Sequence, residues 1–372
     1  MIRRQPTLAP VSPGTHAMLQ LLLAVLLLAA SPALAQTSWP GQREGDVAFK
    51  DFAFASGEQL GELKLHYLTL GTERRNAAGD IVNAVLLLHG TNGTSKNWLM
   101  PSLADELFAP GAPLDAEKYF VVIPDGIGRG GSSKPSDGLR MKFPHYRYGD
   151  MIAATHRLLT EHLGIKHLKL VLGASMGGMQ TWMWGELHPD FMDALVPIAS
   201  QPIAISGRNW MYRRIGIEAI KNDPDWNGGN YEKNPTHYIY TAPIAAMMTE
   251  SPIHFQRVAP SREAMDALYR QMVEQASKLD ANNQLYAAEA VMDYDPSKDL
   301  DKIRAKLLAI NFADDEVNPP ELGVVEHEIR RIAGARLVMI PGGENTHGHF
   351  TYNLAALWKQ HLAALLKESP PM

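Results

Sequence analysis

Leu170-Val171-Leu172-Gly173-Ala174-Ser175-Met176-Gly177-Gly178-Met179-Gln180 is the stretch that decides the fold. An apolar run enters Gly-x-Ser-x-Gly and a helix-compatible segment leaves it, which is the pattern of a nucleophile elbow. Such a turn holds its serine in strained backbone geometry at the end of a strand. Glycines are needed at 173 and 177 because a Cβ there would collide with the neighbouring strand or helix. Ser175 is therefore expected to project at the carboxyl end of a sheet, above a helix N-terminus. The amide of Met176 then points to where an oxyanion would form.

Short continuous apolar runs on either side of the elbow read as strands buried on both faces, at 84–88, 119–123, 194–199, 306–311 and 336–340. Residues 46–71 alternate instead: Val47, Phe49, Phe52 and Phe54, then Leu63, Leu65 and Tyr67, with Ser56-Gly57 as a turn, so they read as an antiparallel hairpin. Helices are expected over 145–163, from the elbow to His188, and over 352–367. Strand alternation stops near Gln201 and resumes at Lys306. Helical stretches at 212–221, 238–248 and 262–284 fill the interval. The pattern is an α/β sheet with an all-helical lid inserted at about 201–295, where Met247 and Met248 are candidates for an acyl pocket or for core.

The chemistry lies in the loops that follow strands. His89-Gly90-Thr91-Asn92-Gly93 offers a second oxyanion donor, with Thr91 as the candidate amide and Gly90 and Asn92 as alternatives. The loop after 306–311 carries three acids, Asp314, Asp315 and Glu316. One of them belongs where an acid holds an imidazole in the correct tautomer. His347 and His349 follow the last strand, completing the order Ser…Asp…His. Those two histidines alternatively suggest a metal pair, but no third ligand is marked nearby and no metal is expected. Gly126 to Gly131 fits Gly-x-Gly-x-x-Gly after a strand, yet Pro135 forbids the helix whose N-terminus would hold a pyrophosphate. A mobile loop beside the site is expected there instead, and no cofactor.

The net charge of −5 over 372 residues gives no reason to expect nucleic acid as a partner, and the absence of cysteine removes thiolate chemistry. Arg3 and Arg4, the apolar run 21–30 and Ser31-Pro32-Ala33-Leu34-Ala35 read as a secretory signal peptide over 1–35, with Gln36 opening the mature 36–372 domain. The run is too short for a stable membrane span. The expected location is periplasmic or secreted. The partners expected are a small-molecule acyl substrate and, at most, a second copy in a homodimer.

Gly173 to Gln180 resembles the elbow of the homoserine O-acetyltransferase family within the α/β-hydrolase superfamily. Similar too are Val196-Pro197-Ile198-Ala199-Ser200 and the stretch from Ala219-Ile220 through Asp223-Pro224-Asp225-Trp226-Asn227-Gly228-Gly229-Asn230-Tyr231. The resemblance implies an α/β-hydrolase fold with Ser175 as nucleophile, Asp315 as acid and His347 as base, Asp314 remaining the alternative acid. Two loops depart from that family: His89 to Gly93 and Asp125 to Ser133 look like those of general hydrolases and esterases. An acetyltransferase of this kind needs cytoplasmic acetyl-CoA, whereas an export signal is read here. The expectation is a serine hydrolase of ester or related acyl bonds. Acyl transfer through the same residues is the alternative, followed by a non-catalytic ligand-binding protein.

Overall fold

β5 (Leu170–Ala174) lies inside an eight-stranded sheet of order β1-β2-β4-β3-β5-β6-β7-β8, in a computed structural model that describes residues 38–368. The chain divides into two units, Met1–Ser38 and Trp39–Met372. The signal peptide read at 1–35 lies outside the described residues. β1 (Arg43–Ala53) and β2 (Gln59–Leu70) form the expected antiparallel hairpin, with Phe49 opposite Leu63 and Phe52 opposite Leu60. β2 pairs antiparallel with β4 (Phe120–Pro124). The other neighbours, through β3 (Ala84–Leu88), β6 (Ala194–Ile198), β7 (Lys306–Phe312) and β8 (Arg336–Ile340), are parallel.

Every residue of β3, β4, β5 and β6 is buried, which is why these strands read as unbroken apolar runs rather than alternations. Alternate side chains feed two cores. Leu86, Val122 and Val171 face Ile152, Trp182 and Trp184. Val85, Leu87 and Leu172 face Trp98, Leu103 and Trp358. The covering helices are α1 (Pro101–Leu107), α2 (Tyr148–Arg157) and α3 (Met176–Leu187).

Between β6 and β7 the chain is helical: α4 (Gly207–Lys221), α5 (Ala242–Thr249), α6 (Pro252–Val258), α7 (Arg262–Ser277) and α8 (Ala281–Glu289). This segment has a core of its own, including Ile217, Ile220, Tyr238, Ile239 and Leu285. Asp223 staples it, accepting from the amides of Asp225, His237 and Tyr238 at 3.0, 2.8 and 2.9 Å. α9 (Val324–Glu328) and α10 (Lys359–Glu368) complete the fold.

Three local expectations differ from the structure. The helix read over 262–284 is two helices, because the Asp280 carboxylate accepts from the amide of Asn283 and caps a new start. The last helix begins at Lys359 rather than 352, since 348–357 winds in tight 3-10 turns that shape the site. The Gly126–Gly131 loop is packed rather than free-standing. The Asp125 carboxylate accepts from the amides of Ser95 (2.6 Å) and Gly131 (2.8 Å), and Ile127, Arg129 and Ser132 are buried.

Candidate active site

Ser175 opens α3 with φ 56° and ψ −116°, a conformation an L-residue adopts only under constraint. The constraint is steric. A Cβ on Gly173 would lie 2.1 Å from the Gly177 carbonyl oxygen, one on Gly177 2.2 Å from that of Leu88, and one on Gly178 2.5 Å from that of Ile198. The Ser175 amide donates to Ile198 O at 2.9 Å, tying the turn to β6. Backbone packing, rather than any side chain, therefore sets where the hydroxyl points.

Ser175 Oγ lies 2.8 Å from His349 Nε2, and His349 Nδ1 lies 2.8 Å from Asp315 Oδ2. A carboxylate only accepts, so Nδ1 carries the hydrogen and Nε2 faces the hydroxyl as acceptor. Asp315 and the His349 ring are buried. Burial pushes the Asp315 carboxyl up, but His349 and Asn318 outweigh it and hold it below the usual carboxylate value. Four donors converge on this carboxylate: His349 Nδ1, Asn318 Nδ2 at 3.0 Å, and the amides of Val317 at 2.8 Å and Asn318 at 3.1 Å.

His347, the expected base, is not at Ser175. Its ring packs on His254, with centroids 3.8 Å apart, and its Nε2 lies 3.5 Å from Arg257 Nη2. The reason is Gly348, whose left-handed φ of 59° turns the chain between the two histidines and sends only His349 inward. That glycine was the available sequence signal, since it allows a sharp turn before one histidine and not the other. Asp314 accepts from Thr346 Oγ1 at 2.6 Å and the Gly348 amide at 3.3 Å, so it fastens the histidine loop instead of meeting the imidazole. Asn318 was missed. Its amide bridges Asp315 and the Ala199 carbonyl (2.9 Å), and an Asn three residues after an acid in a Pro-flanked loop is the signal.

The loop after β3 passes directly beside the serine: a Cβ on Gly90 would meet Ser175 Cβ at 3.6 Å. His89 locks this loop, pairing Nδ1 with its neighbour's carbonyl at 2.8 Å and accepting from the Gly126 amide at Nε2 at 2.9 Å. Burial pushes its pKa down, which keeps that acceptor available. Among the described residues, the amides of Thr91 and Met176 have no protein acceptor. Met176 is the first residue of α3, where helix amides lack intrahelical partners.

A cavity of about 510 Å³ opens over these groups, with Gly90, Thr91, Ser175 and His349 on the sheet side and Arg213, Tyr238 and Thr249 on the helical side. Among the described residues, none that lines it is acidic. Arg213 is buried, its Nε donates to Asn209 Oδ1 at 3.1 Å, and among the described residues no carboxylate pairs with it. Burial lowers its pKa, but the Tyr212 and Tyr148 hydroxyls outweigh that, so the wall keeps a fixed positive charge. Met247 is 73% exposed and neither Met247 nor Met248 lines the cavity.

A family model described as the alpha/beta hydrolase fold matches residues 83–348, and the chain belongs to that family. Within it the chain is similar to proteins named homoserine O-acetyltransferase. The one from Methanohalobium evestigatum is 29% identical over 73% of this chain and 62% of its own length. That from Pelobacter propionicus is 31% identical over 75% of this chain and 84% of its own. The chain thus spans less than two thirds of the length of some curated relatives. The solved acetyl esterase MekB is 26% identical, covers 87% of this chain and 97% of its own, and superposes with a TM-score of 0.76.

Proposed function

We propose that the protein is an exported serine hydrolase that cleaves an ester or related acyl bond through an acyl-enzyme. The observation that carries the proposal is the continuous chain from Ser175 Oγ through His349 to Asp315, with 2.8 Å at both steps. Ser175 Oγ attacks the acyl carbonyl while His349 Nε2 takes its proton, and Asp315 stabilises the imidazolium. The amides of Thr91 and Met176 receive the oxyanion, a contribution of roughly 2.7–4 kcal/mol per donor in characterised enzymes. His349 then protonates the leaving alcohol. Water, deprotonated by the same imidazole, releases the acid and regenerates the hydroxyl.

Acyl transfer to an alcohol is the second reading, favoured by the names of the curated relatives. It uses the same acyl-enzyme with a different acceptor. Hydrolysis is preferred because residues 1–35 read as an export signal and acetyl-CoA is cytoplasmic. The deciding experiment gives the mature protein p-nitrophenyl acetate with and without excess homoserine and follows products by mass spectrometry. Free acetate alone, abolished in Ser175→Ala, is the expected result. Acetylhomoserine would restore the transferase, and turnover surviving Ser175→Ala would sink the mechanism. N-terminal sequencing of the exported protein should begin at Gln36.

A further inference from the structure

His347 is left without a role by the hydrogen-bonded chain, and its surroundings assign it one. We infer that Glu250, His254 and His347 form a binding site for a divalent transition-metal ion of the zinc type. The site fastens the helical segment to the loop that carries His349. Glu250 follows α5, His254 lies four residues later in α6, and His347 follows β8. One ligand atom from each comes within 4.8 Å of the other two. His254 Nε2 and Glu250 Oε2 are 3.8 Å apart, and the two imidazole rings 3.8 Å between centroids.

Two imidazoles and a carboxylate are the donor set of a borderline ion such as zinc rather than of magnesium or calcium, which take oxygen ligands. A second observation is independent of that spacing. Glu250 Oε2 is buried and, among the described residues, has no hydrogen-bond donor, a costly condition that a cation at this place would relieve. The third is a cation already present on the imidazoles. Arg257 Nη2 lies 3.0 Å from His254 Nδ1 and 3.5 Å from His347 Nε2, and among the described residues no ion pair joins it to Glu250. Its side chain is exposed and held otherwise by the Glu344 carbonyl, so it can swing away. Arg257 thus competes for His347 Nε2 and holds the far nitrogen of His254, Nδ1, while His254 Nε2 faces Glu250.

The seam is built before any ion arrives. Ser251 Oγ donates to the Thr346 carbonyl at 3.4 Å, and a Cβ on Gly348 would meet the Ser251 amide nitrogen at 2.8 Å. By contrast, the other acidic–histidine group, Asp223, Asp225 and His237, is no comparable site. The Asp223 oxygens are already engaged by three backbone amides. An ion at Glu250 would bear on the active site, because Thr249 and His349, each within two residues of a ligand, line the cavity. The inference stands apart from the ester-cleaving proposal.

The test uses untagged mature protein, stripped with chelator and titrated with Zn²⁺ against a chromophoric competitor at neutral pH. One zinc per chain is expected. His254→Asn and His347→Asn should each weaken binding at least about tenfold, since even outer ligand partners carry that much. Arg257→Ala should tighten it by removing the competing cation. His349→Asn should keep its zinc, which separates this site from the imidazole beside Ser175. Co²⁺ added to the unaltered chain should give tetrahedral visible bands, a readout that needs no variant to fold. Absence of those bands, full zinc binding by His347→Asn, or loss with His349→Asn would each overturn the inference.

Discussion

Replacing Asp315 by Asn removes one negative charge and hardly any volume, so its effect isolates the tautomer of His349. Oδ1 of Asp315 accepts the amides of Val317 and Asn318, at 2.8 and 3.1 Å. An asparagine must keep its single oxygen there, or it would set its own NH2 against two N–H donors. Its NH2 then takes the place of Oδ2, facing His349 Nδ1 and Asn318 Nδ2. Nδ1 is forced to accept, the ring hydrogen moves to Nε2, and the imidazole no longer takes the Ser175 proton. The same substitution in serine proteases lowers kcat by about 10⁴. At 1.36 kcal/mol per tenfold, that is a loss of about 5.4 kcal/mol of transition-state stabilisation. The assay is kcat on p-nitrophenyl acetate, with Asp314→Asn measured beside it. Asp314 contacts Thr346 and Gly348 but not His349, so its variant should lose far less. Asp315→Asn within tenfold of the parent, or Asp314→Asn falling as far, would refute the reasoning.

Gly177→Ala should destabilise by more than the roughly 1–3 kcal/mol of ordinary overpacking, because the added carbon meets a strand carbonyl at 2.2 Å that cannot yield. Urea unfolding should show it, with Gly61→Ala, where nothing lies within 4 Å, close to the parent; equal midpoints would contradict the packing account. Glu186 in α3 has a buried Oε1 without a donor, and burial, then Asp299, pushes its carboxyl up to about 8. A raised carboxyl pKa favours the protonated folded state, so stability is lost as pH rises from the unfolded value of about 4.5 through 8. Glu186→Gln should therefore raise Tm above pH 8 and leave it unchanged below pH 4.5, and a gain equal at both ends would exclude ionisation as the cause. His188, stacked on His156 at 4.2 Å, is pushed down to about 4 by burial, then by the His156 imidazole. The unfolded chain then binds the extra proton first, so stability falls as pH drops from 6.5 toward 4; His188→Phe should flatten that limb of a Tm–pH profile.

The strands were legible because burial on both faces leaves no polar positions to interrupt them, as in Leu170 to Ala174. The elbow was legible because close backbone approach at Gly173 and Gly177 excludes every other residue. Asp280 illustrates a weaker signal: its cap splits a helical pattern whose periodicity continues across it. The histidines were not separable by spacing. His347 and His349 occupy one loop, and only the turn at Gly348 decides which ring enters the sheet side of the cavity. Asn318 escaped for another reason. Its role comes from meeting Ala199 and Asp315 in space, across 119 and 3 residues of sequence. Met247 shows the converse, an apolar residue whose helix turns it to solvent.

The helical segment between β6 and β7 carries its own core, with Ile217, Tyr238 and Leu285 packed among themselves. Ser175 and Asp315 are held by strand ends, and His349 by its hydrogen bonds to both. The molecule is therefore modular at its working face. One part fixes the reacting atoms, and another, entering and leaving the sheet at a single interval, shapes the space above them. Substitutions that repack the second part can alter which molecules fit while the first keeps its geometry. In the proposed reaction such a division lets one frame be refitted for other acyl groups or acceptors by changing a replaceable roof, and it makes residues 201–295 the productive target for redesign.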